Sequence, residues 1–162
     1  MSDNPYVLCK KLGELCGSKN VTLSLAESCT GGLLSSWITE TPGVSQWFYG
    51  SACVYSNAAK TALLGVDAAV IDAEGAVSEA VAKAMASGAA TRYRSTLALS
   101  ITGIAGPLGG SIEKPVGTVC FALFDARTGR GESKTMHFSS GRAYIRQSAA
   151  IYALNWLIDW NR

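Results

Sequence analysis

The sequence predicts an α/β fold: a single-domain α/β/α sandwich with a mixed central sheet. Short segments of β-favouring apolar residues alternate with longer segments whose apolar residues recur at helical spacing, an order typical of helices that cover a sheet. The last two predicted strands are joined only by residues 125–130, a hairpin pattern that adds antiparallel pairing to the sheet. With 162 residues, the chain can form one domain, residues 1–162, with a sizeable core.

The strands are predicted from runs of apolar, β-branched and aromatic residues bounded by glycine, proline or small polar residues. The first run alternates apolar and polar side chains, and the third is apolar enough to lie centrally in the sheet. The predicted strands are residues 21–25, 51–55, 96–101, 116–124 and 131–138.

Helices are predicted where apolar residues recur three or four positions apart behind a capping residue. Pro5 follows two candidate caps, Asp3 and Asn4, and Ser78 precedes an alanine-rich segment that extends to about Arg92. The predicted helices begin near residues 5, 33, 58, 68, 79 and 141.

Composition argues against several classes of partner. The formal net charge is +2, and no run of Lys or Arg indicates a nucleic-acid-binding surface. No apolar stretch suits a membrane span and the first residues do not form a signal peptide, so we expect a cytoplasmic protein. The five cysteines are scattered and His137 is the one histidine, so we expect buried thiols and no metal site. We also expect no cofactor.

Residues 26–32, with the sequence AESCTGG, join the first predicted strand to the helix that follows it. A strand that passes through a glycine-rich turn into a helix directs several backbone N–H groups to one place. That place suits a phosphate or a tetrahedral oxyanion. A simpler interpretation is that Ser28 or Thr30 only caps the helix and that the glycines only make a tight turn. The segment alone is compatible with both.

Polar residues lie at the ends of three predicted strands: Ser28, Tyr55 and Thr102. If these strands are parallel neighbours, their ends meet in one crevice, where open α/β sheets bind ligands. Lys60, on the helix after the second strand, could reach the crevice and serve as base for a serine nucleophile if its pKa is lowered. The spacing by itself favours the simpler interpretation, in which Lys60 lies on a solvated helix surface.

Arg142 and Arg146 are four residues apart at the start of the last helix, so they share a face. Cations are unfavourable at this end of a helix dipole, and the pair would be explained by a phosphate or carboxylate ligand. The alternative is that both arginines are ordinary surface residues.

Five motifs, in this order, resemble the CinA C-terminal-domain family, and its stand-alone nicotinamide mononucleotide deamidases in particular. The motifs are AESCTGG at residues 26–32, YSN at 55–57 with Lys60, GAVS at 75–78, SITGIAGP at 100–107 with Gly109 and Gly110, and KPVGTV at 114–119. The resemblance implies an α/β/α sandwich. It also implies metal-free hydrolysis of nicotinamide mononucleotide to nicotinate mononucleotide and ammonia.

The resemblance also implies roles for individual residues. Ser28 is the implied nucleophile and Lys60 its base, with Tyr55 as a further catalytic residue. The implied substrate-binding residues are Glu27, Cys29, Thr30, Gly31, Ser56, Asn57, Thr102, Gly103, Gly106, Arg142, Arg146 and Gln147. We therefore expect a small-molecule substrate, nicotinamide mononucleotide, and a homo-oligomer that contacts neither nucleic acid nor membrane. The alternative function is a catalytically silent nucleotide-binding module of the same family.

Overall fold

A computed structural model of the chain describes residues 4–162, which form five strands and six α-helices. The strands are β1 (Leu23–Glu27), β2 (Phe48–Cys53), β3 (Leu97–Gly103), β4 (Thr118–Asp125) and β5 (Arg130–His137). The helices are α1 (Pro5–Lys19), α2 (Leu33–Thr39), α3 (Asn57–Leu64), α4 (Ala68–Glu74), α5 (Glu79–Tyr93) and α6 (Arg142–Trp160).

The strands form one mixed sheet in the order β2-β1-β3-β4-β5. β1 pairs in parallel with both β2 and β3, whereas β4 is antiparallel to β3 and β5. The predicted hairpin is therefore confirmed. Because β1, β2 and β3 are parallel neighbours, their carboxyl ends meet at one edge of the sheet, as the candidate site requires.

Two layers of helices cover this sheet, which confirms the predicted α/β/α sandwich. α1, α2 and α6 pack on one face, and α3, α4 and α5 pack on the other. The alternation of side chains along β1 divides the core between them. Leu23 and Leu25 lie in the buried cluster under α1, α2 and α6, and Ala26 lies in the buried cluster under α3, α4 and α5.

The predicted helix caps can be compared with the observed ones. The Asn4 side chain accepts a hydrogen bond from the Tyr6 N–H at 3.0 Å, and Ser78 accepts one from the Val81 N–H at 3.2 Å. Both predicted caps are confirmed, while Asp3 lies outside the described residues. Within residues 4–162, no helix combines the length and apolar character needed to cross a membrane.

All five strand predictions differ from the structure by one to three residues at their ends. β1 extends through Glu27 and β2 ends at Cys53, whereas residues 21–25 and 51–55 were expected. Pairing with the neighbouring strands decides these ends: Glu27 pairs with both Cys53 and Ile101. The expectation that every cysteine is buried is also wrong, because Cys53 lies exposed on the edge strand β2.

α5 passes very close to the end of α3, the helix that carries Lys60. A Cβ atom added to Gly88 would lie 2.1 Å from the Leu64 carbonyl oxygen, so only glycine allows this approach. Gly17 lies in the exposed last turns of α1, and a Cβ atom added to it would have no atom within 4 Å. It therefore provides a matched comparison.

We predict opposite effects of alanine at these two helical glycines. Gly17→Ala should raise the free energy of unfolding by up to about 1 kcal/mol, because alanine favours the helix. Gly88→Ala should lower it, because the clash with backbone exceeds that gain. Urea unfolding of both variants measures the difference, and equal stabilisation by the two would contradict the close approach of α5 to α3.

Candidate active site

Ser28 and Lys60 meet beyond the carboxyl ends of β1 and β2. The Lys60 Nζ atom lies 3.2 Å from the Ser28 Oγ atom. Ser28 directly follows β1, where its N–H donates to the Ile101 carbonyl oxygen, and Lys60 projects from the first turn of α3. Only 6% of Ser28 and 1% of Lys60 are exposed, which excludes the interpretation of Lys60 as a solvated surface residue.

Lys60 also donates to two backbone oxygens that the sequence could not identify. Its Nζ atom lies 3.0 Å from the Val54 carbonyl oxygen and 3.3 Å from that of Tyr55. These carbonyls become available because β2 ends just before them. With Ser28, they give the ammonium three acceptors, one for each of its protons. In the described part of the chain, Lys60 forms no ion pair with a carboxylate.

This environment makes Lys60 a candidate base. Burial lowers the pKa of Lys60 from the ordinary value of 10.5, because the charged form loses hydration. Once Lys60 loses a proton, its lone pair can accept the proton of Ser28, which lies within hydrogen-bonding distance. A serine beside such a lysine can act as a nucleophile.

Caps at both ends of α3 set the position of Lys60. Ser56 Oγ accepts a hydrogen bond from the Ala59 N–H at 3.1 Å at the start of the helix. Gly65, with φ 68°, ends the helix in the left-handed conformation that favours glycine. Ser56 is thus used as a helix cap, and Asn57 is the exposed first residue of α3.

The side chain that holds the start of α2 is Glu27, and neither the Ser28 nor the Thr30 side chain caps it. The Glu27 carboxylate accepts hydrogen bonds from the N–H groups of Gly32, Leu34 and Ser35 at 3.1, 3.2 and 2.9 Å. The simpler interpretation of this segment, in which the Ser28 or Thr30 side chain only caps the helix, is therefore wrong. The predicted anion position at the helix start is already filled by a carboxylate of the protein itself.

Arg146 holds the turn between Ser28 and α2 from the opposite side. Its guanidinium donates to the carbonyl oxygens of Cys29 and Thr30, at 3.1 and 2.8 Å. Because the C=O and N–H of a trans peptide point in opposite directions, these contacts turn the N–H of Thr30 away from Arg146. In residues 4–162, the N–H groups of Cys29 and Thr30 bond to no other residue.

Arg142 connects the glycine-rich loop after β3 with Tyr55. It donates to the Gly106 carbonyl oxygen at 2.8 Å and to the Tyr55 hydroxyl oxygen at 3.2 Å. Tyr55 is 63% exposed, so its ring lies at the surface while its carbonyl contacts Lys60 inside. Gly106, with φ 77°, is buried against Val116, where a Cβ atom would clash at 2.4 Å.

Two further predicted site residues, Thr102 and Gly103, lie at the end of β3. Thr102 Oγ1 donates to the Ala76 carbonyl oxygen at 2.8 Å and so ties β3 to the segment before α5. Gly103 passes so close to Cys29 that a Cβ atom would lie 3.0 Å from its Sγ atom. The sequence motifs indicated both residues but not these contacts.

The remaining predicted site residues differ in their surroundings. Burial raises the pKa of the Cys29 thiol to about 12, so it stays protonated and is a poor nucleophile at neutral pH. Thr30 Oγ1 is buried and has no hydrogen-bond partner among the described residues, and Gly31 is exposed with φ 60°. Gln147 lines a groove between β5 and α6, where it is exposed.

The site thus belongs to an α/β/α domain with a buried Ser-Lys pair beyond its parallel strand ends. The sequence profile of the CinA C-terminal domain matches residues 6–160. The chain therefore belongs to the CinA C-terminal-domain family.

The names of similar proteins are consistent with this family assignment. A competence-damage inducible protein of Symbiobacterium thermophilum is 47% identical over 150 residues, 88% of this chain and 35% of that protein. A CinA-like protein of Mycolicibacterium paratuberculosis is 49% identical over 138 residues, 83% of this chain and 32% of that protein. The chain thus spans about a third of the length of these relatives.

Solved structures show the same fold over the whole chain. The competence/damage inducible protein CihA from Agrobacterium tumefaciens is 38% identical, with a TM-score of 0.94 over 100% of this chain and 98% of that one. A CinA superfamily protein from Klebsiella pneumoniae is 29% identical, with a TM-score of 0.93 over 98% of both chains.

We predict that Lys60 loses its proton at a lower pH than an exposed lysine. Titration of ¹³Cε-labelled lysine by NMR, with Lys60→Met to assign the signal, should give a pKa below 10.5. Between the folded and unfolded pKa values the unfolded chain binds more protons, so the contribution of Lys60 to the free energy of unfolding should rise with pH. A Lys60 pKa at or above 10.5 would show that the hydrogen bonds from the ammonium to the three oxygens outweigh its loss of hydration on burial.

Proposed function

We propose that this protein is an amidohydrolase that converts nicotinamide mononucleotide to nicotinate mononucleotide and ammonia. The observation that carries the proposal is the buried contact of 3.2 Å between Lys60 Nζ and Ser28 Oγ. The contact supplies a nucleophile and a base without a carboxylate or histidine. The resemblance of five motifs to nicotinamide mononucleotide deamidases supports the choice of substrate.

In the proposed reaction, Ser28 Oγ attacks the carboxamide carbon while neutral Lys60 takes the hydroxyl proton. The carbonyl oxygen then carries the negative charge of a tetrahedral intermediate. Lys60, now protonated, gives a proton to the leaving nitrogen, which departs as ammonia and leaves an ester on Ser28. Water attacks this ester with Lys60 again as base, which releases the carboxylic acid and restores Ser28.

The N–H groups of Cys29 and Thr30 are the proposed donors to the oxyanion. They follow the nucleophile directly, and both are uncommitted to any other residue in the described chain. Loss of one such donor in other hydrolases reduces kcat by roughly 10² to 10³. Arg146 supports this role because it holds the carbonyl oxygens of the same two residues.

Arg142 is the better candidate of the two arginines for the substrate phosphate. Its side chain is exposed and contacts Tyr55 and Gly106 at the rim of the crevice. Arg146 is half-buried and already committed to two carbonyl oxygens. Backbone N–H groups of the loop around Gly109 are the alternative phosphate contact.

The decisive experiment measures ammonia release from nicotinamide mononucleotide by the wild-type protein and two pairs of variants. Ser28→Ala should reduce kcat on the order of 10³-fold or more, whereas Cys29→Ala should retain most activity. Lys60→Arg should be nearly as inactive as Lys60→Ala, because arginine keeps the charge but does not act as a base at neutral pH. Wild-type binding of the mononucleotide without ammonia release would instead identify a nucleotide-binding module.

We predict that the two arginine variants differ in their dependence on the phosphate. Arg142→Ala should weaken kcat/KM for the mononucleotide about tenfold or more while changing that for nicotinamide riboside little, because only the former has a phosphate. Arg146→Ala should reduce kcat/KM for both substrates alike, since it disturbs the turn that carries the oxyanion donors. Equal losses of kcat/KM on the two substrates for Arg142→Ala would show that Arg142 does not bind the phosphate. That result would favour the backbone N–H groups of the loop around Gly109.

A further inference from the structure

Glu27 is a fully buried carboxylate directly beside the proposed nucleophile. Its exposed fraction is 0%, and it pairs with no Lys or Arg in the described chain. Instead it accepts hydrogen bonds from three N–H groups at the start of α2, and its Oε1 atom lies 3.4 Å from Ser51 Oγ. Charge-assisted bonds to a helix start offset the cost of burying this anion.

Glu27 and Ser28 lie on opposite faces of the sheet, because side chains alternate along a strand. Glu27 follows Leu23 and Leu25 on the face covered by α2, while Ser28 follows Ala26 on the face that carries Lys60. The Glu27 carboxylate is therefore separated from Lys60 by the backbone of the strand. It cannot contact a substrate bound at Ser28, since it has no exposed surface.

Glu27 closes the turn that carries the proposed oxyanion donors. The turn leaves β1 at Ser28, whose N–H is fixed to the Ile101 carbonyl oxygen at 3.0 Å. It returns at Gly32, whose N–H is fixed to Glu27 Oε2 at 3.1 Å. The turn is thus fixed at its start to β3 and at its end to the last residue of β1. Arg146 holds the residues between these two points.

We infer that Glu27 is a positioning residue that fixes Ser28 and the N–H groups of Cys29 and Thr30 through the start of α2. This inference rests on the proposed function and deepens it. The carboxylate occupies the helix start in place of a substrate anion and sets the geometry of the turn. Its negative charge does not tune Lys60.

The test is Glu27→Gln, which keeps the size of the side chain but replaces one acceptor oxygen with an NH₂ donor that faces backbone N–H groups. Asp67→Asn is the matched control, since Asp67 Oδ1 caps the equally short helix α4 at the Ala69 N–H. Ammonia release, KM, the pH profile and urea unfolding are measured for both variants. Each is compared with the wild-type protein.

Glu27→Gln should lower kcat about 10- to 100-fold with KM changed less than about threefold, because small displacements of reacting groups cost this much. The rise of kcat/KM with pH should keep its midpoint, because Glu27 does not tune Lys60. Asp67→Asn should leave kcat unchanged. An unchanged kcat for Glu27→Gln would overturn the inference, and so would a midpoint shifted to lower pH, which would make Glu27 an electrostatic partner of Lys60.

Phosphonylation of Ser28 by a fluorophosphonate, in which the serine oxygen bonds to phosphorus and fluoride leaves, separates the inference from the proposed function when it is followed by mass spectrometry. If the wild-type protein releases no ammonia but is labelled at Ser28, the substrate is wrong. The labelling rate then decides the role of Glu27, which is supported if Glu27→Gln is labelled about tenfold more slowly or worse. If the wild-type protein is neither phosphonylated at Ser28 nor active, both the function and the inference are overturned.

Discussion

The burial of the Lys60 ammonium beside Ser28 is the constraint on which the rest of the site depends. A charged amine with 1% exposure needs acceptors for its protons, and it finds Ser28 and two carbonyls at the end of β2. Those carbonyls are available only because the edge strand ends there. The close passage of α5 against α3 at Gly88 then packs this helix against the domain.

The two faces of β1 keep opposite charges apart. The anion of Glu27 is satisfied by the start of α2 on one face, and Lys60 is satisfied by neutral oxygens on the other. A carboxylate next to Lys60 would stabilise the ammonium and raise its pKa, which would oppose its use as a base. The alternation of side chains along one strand thus lets neighbouring residues serve different purposes.

α6 joins the separate parts of the site, although it is the last element of the chain. Arg146 reaches the turn after β1, and Arg142 reaches both the loop after β3 and Tyr55, two residues after β2. One helix face therefore fixes the ends of three parallel strands relative to one another. This explains a pair of arginines at a helix start, where the dipole alone disfavours them.

The sequence alone determined the fold class, the elements and the position of Ser28, because periodicity, caps and turn residues act over a few positions of the chain. Only the tertiary structure decided that Lys60 is buried, that Glu27 holds α2, and that Gln147 lies in a groove between β5 and α6. These properties depend on strand order, on register and on which backbone carbonyls remain unpaired. They arise between residues far apart in the chain, as with Arg146 and Cys29, and the local sequence pattern does not indicate such contacts.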